Sequence, residues 1–165
     1  MTDSLRVLVA VNGDESDEEA VKLACSEARR TKGTVFLVSV VTVSRHLALE
    51  SPDAADVERG EAVLGRMERL ARNEKCVVEG EVIQAREPGP ALVDEAVERG
   101  ADLIVMGLSR KPRRSEGDLG ETMPYVLKRA PCRVWVVTGP LETPGHEPVA
   151  PGKRAGGFHL PFFKA

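Results

Sequence analysis

The chain has 165 residues, 42% hydrophobic and 30% charged, with a net charge of −3 at neutral pH. That length buries a core of its own without disulfide staples, and the slightly acidic balance excludes the domain-wide basic field of a nucleic-acid binder. Its three cysteines, Cys25, Cys76 and Cys132, are odd in number and far apart in sequence, which excludes a disulfide frame and a zinc-finger spacing.

The elements follow in alternation. Leu5–Val11 is a β-rich apolar run closed by Asn12-Gly13. It is too short to span a bilayer and lacks a cleavage site, and no other segment approaches a membrane span, so the expectation is a cytoplasmic chain. Ser16–Arg30 reads as a helix: Ser16 and Glu19 have capping-box spacing, Ala20, Leu23, Ala24 and Ala28 recur with helical period, and Gly33 ends it. Thr34–Val43 is a second strand, followed by a loop through Pro52. Asp56–Glu74 reads as a helix despite Gly60 and Gly65, and Cys76–Ala85 as a third strand. A helix begins near Pro90 and stops at Gly100. Ala101–Leu108 is the fourth strand. A loop with Arg110, Lys111, Arg113 and Arg114 follows, then a helix from Leu119 to Arg129 and a fifth strand, Cys132–Gly139.

Strands alternating with helices at this spacing predict an α/β fold, a single doubly wound sheet of five parallel strands with helices on both faces. Ligands of such sheets sit at the carboxyl ends of the strands, where the strand order switches. One α/β domain is expected over residues 1–139. Residues 140–165 differ in composition: a Pro/Gly-rich linker leads to Phe158, Leu160, Phe162 and Phe163. Disordered tails are poor in aromatics, so this ending reads either as a segment that docks on the body, on a second copy or on a partner protein, or as a disordered, sticky end.

Candidate chemistry concentrates after the fourth strand. A strand, a glycine-bearing loop and a helix N-terminus are the parts of a phosphate site. The basic residues there would pair with phosphate, or simply form a solvated face. His46, His146 and His159 lack metal-ligand spacing, so no metal site is expected. Ser109 lies outside any nucleophile elbow, and no Gly-x-Gly-x-x-Gly follows the first strand, so neither a serine nucleophile nor a dinucleotide fold is expected. Asp94 and Glu95 read as a solvated helix face.

From Leu5 to Thr138 the chain resembles the universal stress protein family. The segment Ala101–Gly107, the loop, and Leu119–Val137 with its Ala130-Pro131-Cys132 ending carry the likeness. The resemblance implies strand order 3-2-1-4-5, a homodimer through the last strand, and a role in stress response with ATP or another adenine nucleotide as ligand. ATP-binding members carry Gly-x2-Gly-x9-Gly-(Ser/Thr) after the fourth strand. Gly107 and Gly120 match its first and third glycines, but Arg110 stands at the second and Glu121 at the Ser/Thr position. Asn12 replaces an aspartate at the end of the first strand, after Val11 and before Gly13. Arg86 replaces a glycine after the third, and Val40 aligns with the adenine-facing end of the second.

These departures bear on affinity. Arg110 restricts a backbone that glycine would free, and ionised Glu121 repels phosphate where a hydroxyl would donate to it. Thr122 supplies that hydroxyl only if the register slips by one. The expected protein is therefore a binding module with a degenerate phosphate loop, at most a weak ATP hydrolase. The alternative is a nucleotide-independent scaffold acting through dimer and tail contacts.

Overall fold

The computed structural model describes residues 4–49, 52–109 and 120–139. The predicted loop from Arg110 and the aromatic tail lie outside the described residues. The elements are β1 (Arg6–Ala10), α1 (Ser16–Arg30), β2 (Thr34–Thr42), α2 (Ala54–Asn73), β3 (Val77–Ala85), α3 (Pro88–Glu98), β4 (Leu103–Leu108), α4 (Thr122–Arg129) and β5 (Arg133–Thr138). All five strands are parallel, in the order β3-β2-β1-β4-β5. Helices α1 and α2 cover one face and α3 and α4 the other. This follows from the order, because β1 to β3 step outward in one direction and β4 and β5 in the other, and right-handed crossovers then place helices on opposite sides.

The central strands are apolar on both faces because both faces are covered. Val7, Val9, Val35, Leu37 and Val105 pack under α1 and α2, with Leu64 and Met67 above them. Leu8, Val38, Ile104 and Met106 pack with Leu92, Met123 and Val126 on the other side. Edge strands differ. In β3, Val78 and Val82 pack inward, whereas Glu79 and Glu81 are exposed and both pair with Arg99. The Arg99 guanidinium also lies 5.0 Å from the Phe36 ring centroid and pairs with Glu95. Glu95 is thus not the solvated carboxylate expected from its sequence neighbourhood. Its partner one helical turn on, Arg99, recruits it to cap the thin side of the sheet.

Several boundaries move for identifiable reasons. Helix α2 starts at Ala54, before the expected Asp56, because the Asp53 side chain accepts the Ala55 N–H at 2.9 Å. Gly60 in that helix is a packing requirement, since a Cβ there would lie 3.0 Å from Val41 and 3.4 Å from Ser39. Helix α3 starts at Pro88, with proline in the first turn where no N–H is needed. Helix α4 begins only at Thr122.

Cys25 on α1 and Cys76 just before β3 are both buried, and the Cys76 thiol donates to the Val77 carbonyl at 3.5 Å. Burial pushes both thiols up from the usual range. They are packed groups, as reduced thiols in a core should be.

Candidate functional site

The chain leaves β1 toward β2 and returns to β4 on β1's other side, so the order switches between β1 and β4. Ala10 stands opposite Met106 in their register, which brings Val11 level with Gly107. Val11 also donates to the Val38 carbonyl at 2.9 Å, tying it to β2 just below Val40. Thus Val11, Asn12, Gly13, Val40 and Gly107 meet at the carboxyl end of the sheet.

The turn after β1 is organised by Asp17, which the sequence reading did not single out. Its Oδ2 accepts the N–H of Asn12 at 2.9 Å and of Gly13 at 2.7 Å. The Asn12 side chain is turned onto the loop itself, with Oδ1 accepting the Asp14 N–H at 2.9 Å. Gly13 has a φ of +92°, and a Cβ there would sit 3.1 Å from Val63, so glycine is needed on both counts. The predicted capping box does not form. Ser16 is the first residue of α1, the helix has no side-chain cap, and Glu19 instead pairs with Lys22 at 3.6 Å. The Ser16 side chain is buried against Gly107, which draws it away from the helix end; its Oγ has no hydrogen-bond partner among the described residues.

Burial raises the Asp17 carboxyl above its ordinary value, opposed by the Gly13 and Asn12 N–H groups and by Arg66. A carboxyl whose folded-state pKa is raised binds its proton more tightly folded than unfolded, so stability declines as pH climbs from the unfolded value through the folded one. Asp17→Asn keeps an oxygen for both N–H groups and removes the ionisation. The variant should melt higher than the wild type at pH 7, with the advantage shrinking as pH falls toward 4; thermal melts across that range check it.

Beside this turn lies a cleft of about 640 Å³. One wall is the strand ends, Asn12 and Gly13 with Ser39 to Thr42; the other is α2, with Asp56, Arg59, Gly60, Ala62, Val63 and Arg66. Asp56 and Arg59 form an ion pair. Val41 gives the cleft an apolar wall, the Val40 side chain packs on the α3–α4 face of the sheet, and the rim carries amide, hydroxyl and guanidinium groups. This is the character of a small-molecule cleft. Ser39, Thr42, Arg59 and Arg66 escaped the sequence reading. Both arginines are exposed, and only the packing of α2 against the strand ends places them at the cleft.

The remaining expected site residues lie on β4 and α4. Gly107 is the fifth residue of β4 and explained by packing: a Cβ would fall 2.5 Å from Ser16 Oγ. Gly120 has a φ of +60°, and a Cβ there would meet nothing within 4 Å among the described residues. Glu121 is the exposed N-cap residue of α4, and Thr122 its first residue. Arg110 lies outside the described residues. Arg86 has a definite job: its guanidinium donates to the carbonyls of Val43, Ser44 and Leu47, the last at 2.7 Å. It roots the connection between β2 and α2 to the end of β3. Among the described residues, no three His, Cys, Asp or Glu side chains group as a metal site, and no helix is long and apolar enough to cross a membrane.

The model of the universal stress protein family matches residues 4–138. The chain belongs to the universal stress protein family. It is 27% identical over 141 residues to a universal stress protein of Methanocaldococcus jannaschii, covering 82% of each. The solved structure of a universal stress protein from Archaeoglobus fulgidus matches with a TM-score of 0.69 at 21% identity, covering 81% of this chain and 98% of the other. A structure from the same organism in complex with dAMP matches with a TM-score of 0.67, again at 21% identity, covering 81% and 97%. The family fold and its strand order are therefore those of this chain.

Proposed function

We propose that this universal stress protein is a cytoplasmic binding module of the stress response that takes an adenine nucleotide across the ends of β1, β2 and β4. The observation that carries the reading is the convergence of Val11, Asn12, Gly13 and Val40 with Gly107 at the switch point, beside an open cleft of suitable size. Solved family structures support it, since their ligands are dAMP, cAMP and, in an Arabidopsis thaliana member, AMP. The residues fit the base end of such a ligand better than a polyphosphate. Val41 offers an apolar contact and Asn12 an amide, whereas Glu121 puts a carboxylate at the α4 N-terminus, the place a phosphate would favour. Gly120 and Thr122, which follow β4, complete the proposed site, and the sequence pattern adds Arg110 to it. No catalytic group is assigned.

Thermal-shift measurements with AMP, cAMP and ATP test this. A ligand at a hundred times its dissociation constant adds about 2.7 kcal/mol of stability. AMP or cAMP should raise the melting temperature more than ATP at equal concentration. No shift with any of the three at millimolar concentration refutes nucleotide binding.

That failure would favour the second reading, a scaffold. Its supporting observation is the exposed apolar outer edge of the sheet, where Trp135 is 36% and Val136 38% exposed. A homodimer through β5, with residues 140–165 as a separate segment engaging a protein partner, belongs to either reading.

A further inference from the structure

Among the described residues, two backbone sites that could hold an anion carry an acid of the chain itself. The N–H groups of Asn12 and Gly13 already point at an internal anion, the Asp17 carboxylate. At the α4 N-terminus the capping residue is the acid Glu121. The cleft, however, has cations on its α2 wall. Arg59 is held by Asp56. Arg66 forms no hydrogen bond or ion pair among the described residues, and its influence is felt only as a pull on Asp17. It is exposed, lines the cleft, and carries a fork of five N–H donors of which the Asp17 field engages no particular one. Arg59 and Arg66 are separated by roughly two helical turns, about 10 Å along α2. Arg66 lines the same cleft as Asn12 and Gly13.

We infer that Arg66 is the phosphate-binding residue of this cleft, and that the ligand's phosphate is held on α2 instead of at the N-terminus of α4. The adenine-nucleotide reading supplies the base; the anion site stands on its own observations and takes phosphate esters whether or not adenine is attached. The arrangement accommodates one phosphate well, because a single bidentate guanidinium matches a single phosphate.

Calorimetry on the full chain with adenosine, AMP and inorganic pyrophosphate separates the two ideas. Wild type should bind AMP more tightly than adenosine, and should bind pyrophosphate. Arg66→Ala should weaken AMP and pyrophosphate by at least about tenfold, as expected for a lost charged hydrogen bond, and leave adenosine unchanged. Arg66→Lys should recover part of the loss, and Glu121→Ser should change none of the three. The Gly13 and Gly60 amide resonances should shift on adding pyrophosphate. Arg66 is exposed, so its variants should fold, and unliganded melts verify this. AMP binding that ignores Arg66→Ala, or that responds to Glu121→Ser instead, overturns the inference while the nucleotide reading survives. Arg66-dependent pyrophosphate binding without adenosine or AMP binding supports the anion site and overturns the nucleotide reading. Absence of all binding overturns both.

Discussion

Gly107→Ala should destabilise the protein by about 1–3 kcal/mol, the usual cost of forcing a methyl group into a packed interior. The added Cβ would lie 2.5 Å from Ser16 Oγ and 3.0 Å from both the Cβ and the backbone carbon of Ser16. For a chain of this size each kcal/mol lowers the melting temperature by about 2–4 °C. Ser16→Ala tests the cause. It removes the nearest atom of the clash and a buried hydroxyl without a partner among the described residues, so alone it should be close to neutral. In the double variant part of the Gly107→Ala loss should return. A double-mutant cycle by urea unfolding measures the coupling. Additive losses would mean that Gly107 is needed for reasons other than Ser16. This separates two readings of the same glycine, since a residue kept only for a phosphate would cost affinity and not stability.

Val136→Lys should abolish the proposed β5 homodimer, weakening self-association by at least about a hundredfold, as expected for an unpaired charge at the centre of an interface. Strand β5 is bonded to β4 along one edge, and its other edge bears exposed Trp135 and Val136. Such an edge invites pairing with another strand. A twofold axis through it would set each Val136 close to its own copy, where two lysines repel. Val136 is already 38% exposed in the single chain, so the substitution leaves the fold intact. Light scattering across a concentration series checks the result. A wild type that remains monomeric at high micromolar concentration refutes the β5 dimer.

The central fold was legible because its signals are local. Runs such as Leu103–Met106 are apolar throughout because both faces are covered, and α1 fell on Ser16–Arg30 as its period required. What escaped depends on residues that meet only in three dimensions. Ser16 has the look of a cap, but Gly107 gives its side chain a pocket to fill. Asp17 looked like one of several acids in a first helical turn, yet it fixes the β1–α1 turn because the backbone there curls back over it. Arg86 was visible only as a missing glycine, and nothing near it in sequence names the three carbonyls it holds. The cleft was hidden most completely, since its walls come from β1, β2 and α2 and the apolar one belongs to the same strands that build the core.

The strand order carries a consequence for biosynthesis. β1 lies in the middle of the sheet, but its partner β4 comes late: Arg6 and Asp102, bonded at 2.9 Å at the start of the pair, are 96 residues apart. A chain emerging from the ribosome completes β1, β2 and β3 first, with the β4-facing edge of Val7–Ala10 unpaired while α3 is still being made. That edge is among the most apolar backbone in the molecule, and an open strand edge is a template for wrong partners. Closing so long a loop also slows the last step of assembly relative to the local pairings. The nascent half-sheet is thus the form of this protein most in need of a chaperone, and Leu103–Leu108 is the segment whose arrival ends that exposure.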